Sequence, residues 1–292
     1  SLSWTKNRLE NSVSMRSGMK QLCRDHEFDV IEVPECGAEG ALLDGVGETP
    51  MVVRLHSPAR LIMPFYGVGS VDTSLCCSLE RRALRRASAI TSCSRFLAEE
   101  SHQKLGIDRP IQVIPNGIDL ELFDAADHID VRSRFGLPGD RPIVLFAGRL
   151  ERRKGIHLCA DICTSILKDF EVDFLFAGED TDGFFELELR SNLASEKMKG
   201  AVHHLGKLDM RSLRSCLCQC DVFLLPSLWE NCPYSCLEAM AAGKPIVSSD
   251  QGGMREMILD DETGLLAASG DSASFVSQIR RLLDDAGLRK RL

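Results

Sequence analysis

Short apolar runs alternate with longer amphipathic stretches along this chain, and that alternation constrains the fold more than any other feature. The runs are Asp29–Val33, Met51–Leu55, Ala89–Ser92, Ile111–Ile114, Ile143–Ala147, Asp173–Ala177, Val202–Leu205, Val222–Leu225 and Pro245–Ser248. They are rich in Val, Ile, Leu and Phe and lack a clean polar–apolar rhythm. A strand with one face in water alternates, whereas a strand covered on both faces does not. Between the runs lie helical patterns at Ser78–Ala87, Leu97–Leu105, Gly155–Lys168, Phe184–Glu196, Met210–Gln219, Leu237–Ala242 and Ser272–Asp285. Buried strands in alternation with helices predict an α/β chain, doubly wound on parallel sheets.

With 292 residues the chain has room for about two such domains. The polar segment Leu120–Arg141, with Gly136, Pro138 and Gly139, is the natural place to divide it, giving domains 1–125 and 126–292. A net charge of -8 argues against a polyanion such as DNA as bulk partner. No stretch approaches the ~20 apolar residues of a membrane span, and the opening SLSWTKNRLENS lacks the pattern of a secretory leader. Twelve cysteines follow no disulfide framework and read as reduced thiols, so the expected location is the cytoplasm. Cys216-x-Cys218-x-Cys220 lacks a second pair at zinc-finger spacing and reads as helix packing.

Several strand ends carry chemistry. After Val144-Leu-Phe-Ala-Gly148 come Arg149 and Lys154, flanking a loop that leads into a helix. Ligands bind at the carboxyl ends of parallel strands, and an Arg–Lys pair suits a diphosphate. A solvated basic turn accounts for the same residues, and the sequence does not separate the two. In Leu224-Leu-Pro-Ser-Leu-Trp-Glu-Asn-Cys-Pro-Tyr-Ser-Cys-Leu-Glu238, a strand gives way to a loop bearing Glu230 and then a helix starting near Ser235. That helix start is a cradle for an anion, and the carboxylates could accept hydrogen bonds from sugar hydroxyls. The alternatives are a solvated loop acid for Glu230 and a capping box, Ser235-x-x-Glu238, for Glu238. Gly243 would end that helix.

Gly252-Gly253 allows a tight turn or the close approach of a ligand, and Asn116-Gly117 marks another turn. His56 stands at the carboxyl end of Met51–Leu55. Asp180-x-Asp182 could hold a divalent metal, but an acidic turn is the reading favoured, and no metal site is assigned. The run Glu80–Arg86 puts cations on several faces of a helix, a solvated surface or a weak contact with anionic lipid.

Taken in order and spacing, these segments resemble the family 4 glycosyltransferases of the two-Rossmann-domain (GT-B) type. The resemblance rests on IPNGID, FAGRLERRKG and PSLWENCPYSCLEAMAAGKPIVSSDQGGMREMI, with DETGLL after them, and on DVIEVPE at 29–35 and VRLH at 53–56. It implies two parallel-sheet domains facing across a cleft, an incomplete N-terminal domain on the acceptor side and a nucleotide-sugar domain after it. The family's opening strand with its Gly-rich loop, and its last helix, find no match in these residues. The implied reaction is sugar transfer with retention from a nucleotide-sugar to an acceptor hydroxyl, without metal or cofactor. Glu230 and Glu238 match the family's Glu-x7-Glu, the first facing the donor sugar and the second the ribose. Arg149 and Lys154 match the pair that holds the diphosphate, and His56 the acceptor-side histidine near the reaction centre. Backbone amides around Cys232, Pro233 and Tyr234 would contact sugar or phosphate. This chain has Cys232-Pro233 where many members carry an aromatic and a small residue. The acceptor would be a glycan, a lipid or a small molecule. Two other expectations fit parts of the pattern: a non-catalytic remnant that binds nucleotide-sugar, and an epimerase or phosphorylase on a similar frame.

Overall fold

The computed structural model describes residues 2–44, 46, 49–123 and 128–292. Its strands are β1 (Ile31–Pro34), β2 (Met51–Leu55), β3 (Ala89–Ser92), β4 (Ile111–Val113), β5 (Ile143–Ala147), β6 (Asp173–Ala177), β7 (Val202–Gly206), β8 (Val222–Leu225), β9 (Ile246–Ser249) and β10 (Leu265–Ala267). The α-helices are α1 (Ser3–Asp25), α2 (Ala59–Ile62), α3 (Ser70–Arg86), α4 (Arg95–Leu105), α5 (Val131–Phe135), α6 (Ile156–Ile166), α7 (Glu196–Lys199), α8 (Met210–Gln219), α9 (Tyr234–Ala241), α10 (Met254–Met257), α11 (Ser272–Asp284) and α12 (Ala286–Arg291). The chain forms two compact units, Ser1–Asn116 and Gly117–Leu292. The expected division between residues 125 and 126 lies outside the described residues.

The second unit is built on a six-stranded sheet in the order β10-β9-β8-β5-β6-β7, parallel throughout. Its strands show why polar alternation is absent. Val144, Phe146, Phe174, Phe176, Val222 and Leu224 point to one face and pack under α6 and α11. Ile143, Leu145, Leu175, Phe223 and Leu225 point to the other and pack under α5, α8, α9 and α10. Every residue of β5, β6 and β8 is therefore buried. Cys216 and Cys220 belong to this second face as ordinary core residues, as the helix-packing reading expects. From β5 the chain winds outward through β6 and β7, then returns to pair β8 with the other edge of β5. The order reverses between β5 and β8, and such a switch point opens a crevice at the strands' carboxyl ends.

The first unit has a parallel four-stranded sheet, β1-β2-β3-β4. Its first helix has no apolar pattern to announce it. The residues that α1 buries are Thr5, Arg8 and Ser12, three polar side chains on one face. Thr5 donates its backbone N–H to Asp72 at 2.8 Å, Arg8 pairs with Glu80 at 3.3 Å, and the Ser12 hydroxyl donates to the carbonyl of Ala38 at 2.7 Å. Specific polar contacts hold α1 to α3. Glu80 is correspondingly buried and not part of a solvated run. Arg82 and Arg86 both pair with Asp44, while Arg81 and Arg85 are exposed. Among the described residues no helix is long and apolar enough to cross a membrane.

Candidate active site

The loops after β5, β8 and β9 lock together at the switch point. Gly155, at φ 80°, lets the turn before α6 press on the end of β8; a Cβ there would come within 2.0 Å of the Pro226 carbonyl oxygen. Leu228 N–H donates to the Arg153 carbonyl at 2.8 Å, and the Arg153 guanidinium donates to the Trp229 carbonyl at 3.1 Å. The third loop closes in through Gly253, whose N–H donates to the Glu230 carbonyl at 3.0 Å. A Cβ on Gly253 would lie 1.7 Å from the Asn231 carbonyl oxygen. The Gly252-Gly253 pair thus serves close backbone packing against the segment that carries Glu230.

Glu230 is not a solvated loop acid. It is buried, and its Oε1 receives the Lys154 ammonium and, at 3.8 Å, the Arg153 guanidinium. Arg153 also pairs with Glu151 at 2.8 Å, and Glu151 with Arg149 at 3.3 Å. The chain of charges Arg149–Glu151–Arg153–Glu230–Lys154 joins three residues expected from the sequence through two that were not. Arg153 and Glu151 stand inside FAGRLERRKG, where they read as part of a charge run. The signal that distinguishes them is burial, which the sequence does not display. Arg149 is the outermost member, its side chain 60% exposed. Taking a charge out of water is costly unless it is paired, so the buried members of the chain depend on one another.

Helix α9 begins at Tyr234, one residue earlier than expected, with Pro233 as its cap residue and no side-chain cap. Ser235 lies inside the first turn, so the capping box does not form. Glu238 is half-buried, and burial pushes its carboxyl above the usual range, with the Arg214 guanidinium pulling it back. Gly243 takes φ 64° just past the helix and ends it as expected. Cys232 is buried and Tyr234 is 55% exposed. Asp180 ties down its own turn, because its two carboxylate oxygens accept the N–H groups of Phe184 and Phe185, each at 2.9 Å.

His56 belongs to the other unit, at the carboxyl end of β2. It is half-buried, and burial, followed by the charge of Arg54, lowers its pKa. The shift favours the neutral imidazole, which has one nitrogen to donate and one to accept.

The sequence profile of Glycosyl transferases group 1 matches residues 127–292, and that of Glycosyltransferase Family 4 matches residues 2–122. The chain belongs to the family 4 glycosyltransferases. It is 31% identical over 279 residues to the 2-deoxystreptamine glucosyltransferase of Streptomyces kanamyceticus, covering 91% of this chain and 70% of that one. It is 29% identical to the D-inositol 3-phosphate glycosyltransferase of Xylanimonas cellulosilytica, covering 88% of this chain and 63% of that one. Against the second, this family member spans just under two thirds of its relative's length. Among solved structures, the sucrose-phosphate synthase of Thermosynechococcus elongatus superposes with a TM-score of 0.79 at 23% identity, covering 94% of this chain and 69% of the other. HepE of Anabaena, solved with UDP-glucose, gives a TM-score of 0.79 at 21% identity, covering 95% and 74%. The fold is that of the GT-B glycosyltransferases.

Proposed function

We propose that this glycosyltransferase moves a sugar, with retention at the anomeric carbon, from a nucleotide-sugar to a hydroxyl of a glycan, lipid or small-molecule acceptor. The observation that carries the reading is the contact of Lys154 with Glu230 across the switch between β5 and β8. A carboxylate able to accept from sugar hydroxyls and a cation able to meet a phosphate stand together where parallel sheets bind ligands. Arg149 and Lys154 hold the diphosphate, joined by the uncapped start of α9, where the amides of residues 232–234 and the helix dipole favour an anion. Glu230 takes the donor sugar and Glu238 the ribose. The 126–292 domain is the donor side and 1–125 the acceptor side, with His56 donating to the sugar at the reaction centre. The binding of UDP-glucose by HepE, a protein of similar fold, supports the donor class.

The difficulty of the reaction is charge that builds on the departing diphosphate. Fixed cations and helix amides stabilise it without reorganising. Retention follows if the acceptor hydroxyl attacks from the face the diphosphate leaves, its proton passing to the departing phosphate oxygen. Arg149, Lys154 and the helix start supply the positive charge, so the reading calls for no divalent ion. The chain works in the cytoplasm, where its twelve cysteines, none of them in a disulfide, stay reduced.

The test is sugar release or transfer from UDP-, GDP- and ADP-glucose, with and without excess EDTA. The expected result is turnover of at least one donor, unchanged by EDTA and lost in Glu230→Gln. Abolition by EDTA with restoration by manganese overturns metal independence. Binding without turnover, whatever the acceptor, overturns the enzymatic reading of this chain.

A further inference from the structure

The turn that carries His56 is held from below by two buried carboxylates. Glu35 directly follows β1 and is 0% exposed. Its carboxylate accepts the backbone N–H of His56 at 2.8 Å and of Ser57 at 2.5 Å. Residue 58 is proline and has no N–H. The next N–H, of Ala59, goes to Glu80 of α3 at 2.9 Å. Every backbone donor from 56 to 59 thus ends on one of two side chains that water does not reach. We propose that Glu35 is a positioning residue for His56, fixing the imidazole through the backbone of the turn after β2.

The surroundings show why this arrangement is more than a loop anchor. A hydrogen bond to an ionised carboxylate is short and strong, but burying the charge is costly. The charged or titratable groups facing the pair are Arg8 from α1, Cys36 and Glu39 beside β1, Cys76 and Cys77 from α3, and His56 itself. Arg8 is the cation among them, and it pairs with Glu80, not with Glu35. Burial pushes Glu35 up to about 7. Burial, then the charge of Glu35, pushes Glu80 up to about 8. A fold that needed only to tie down a loop could do so with a serine or a carbonyl. Two carboxylates in one buried place are kept at a cost, and what they hold in common is the four-residue turn 56–59.

The inference rests on the reading of His56 as the residue that meets the sugar, and the experiment separates the two. The 292-residue chain is prepared as wild type, Glu35→Gln and His56→Ala, with the histidine rings labelled for NMR. A glutamine keeps the shape but offers one acceptor where two N–H groups need one. In Glu35→Gln the His56 ring signals and their titration are expected to shift, while the ring signals of His203 and His204 in the other unit stay in place. Sugar release from the donor is expected to fall about 10- to 100-fold in kcat, as for a reacting group misplaced by about 1 Å, with KM for the donor unchanged. A His56 titration that coincides with wild type overturns the proposal. So does wild-type kcat in Glu35→Gln where His56→Ala is inactive. If His56→Ala turns over normally, the assignment of His56 fails, and the ring signals alone decide whether Glu35 positions it. Glu35→Asp keeps the charge but shortens the reach, and it serves with the same two outcomes if the glutamine variant does not fold.

Discussion

At the scale of single residues, Lys154 and Arg149 look alike in sequence and differ in the structure. Lys154 is partly buried against the buried Glu230, whereas Arg149 stands at the exposed end of the same chain of charges. Removing one partner of a buried ion pair leaves the other charge uncompensated, at a cost of about 3–5 kcal/mol. Lys154→Met is therefore expected to lower the stability of the C-terminal unit by an amount of that order, softened by Arg153, which remains beside Glu230. Exposed pairs contribute roughly 0–1 kcal/mol, so Arg149→Ala should leave urea unfolding unchanged. The check is a pair of urea melts followed by circular dichroism; equal midpoints for the two variants would contradict the buried pairing. The same burial bears on Glu230→Gln. That substitution removes one of the network's two carboxylates, the one that meets Lys154, so a loss of stability accompanies the loss of turnover.

The elements differ in how plainly the sequence announces them. The boundaries of β2, β3, β5, β6, β8 and α8 follow directly from apolar runs and helical periodicity, because those segments are buried by apolar contact. Helix α1 is not legible, since it docks through Thr5, Arg8 and Ser12, and a polar stripe has no hydrophobic period. The short strand β10 escapes notice for its length. Phe184–Glu196 reads as one helix but forms a π-helical segment, a 3-10 turn and the start of α7. At the site, Glu230, Arg149 and Lys154 are visible as residues. Their linkage through Arg153 and Glu151 is not, because it depends on two loops 76 residues apart in the chain. Glu35 stands in DVIEVPE with nothing to single it out, and Glu80 reads as part of a solvated face. A buried acid is recognised only by what surrounds it. The loop packing makes one element-scale prediction. Gly253→Ala places a methyl against the Asn231 carbonyl, and overpacking of this kind costs about 1–3 kcal/mol. Thermal melting should show that loss together with weaker nucleoside-diphosphate binding. Wild-type values for both would mean that the β8 and β9 loops are not coupled as described.

For the whole molecule, the two units are expected to respond differently to pH. Glu35 and Glu80 have folded pKa values raised from 4.5 to about 7 and about 8. A raised carboxyl pKa contributes stability that is fully present below the unfolded value and is lost as pH rises through the folded one, since the folded state then binds the extra protons. The N-terminal unit should therefore lose stability between about pH 5 and about pH 8. The chain has two tryptophans, Trp4 in the first unit and Trp229 in the second. In a Trp229→Phe background, fluorescence melting reports the first unit alone. The Tm should decline across that window, and Glu35→Gln should flatten the decline. Because Glu80 keeps its own raised pKa, part of the decline remains; a Tm that rises with pH, or a decline as steep in Glu35→Gln as in the wild type, would contradict the assignment.

On this reading a nucleoside diphosphate binds where the sheet order reverses, between the loops after β5 and β8. A calorimetric titration of UDP, GDP and ADP into the wild type and Arg149→Ala decides whether it does. Arg149 suits the purpose because its exposed side chain can be removed without disturbing the buried network. Saturable binding of at least one diphosphate by the wild type is expected. In Arg149→Ala that binding should weaken by about 1.5–3 kcal/mol, the value of a charge-assisted contact. Equal affinity in the two proteins for every diphosphate that binds, or no binding of any to the wild type, would contradict it.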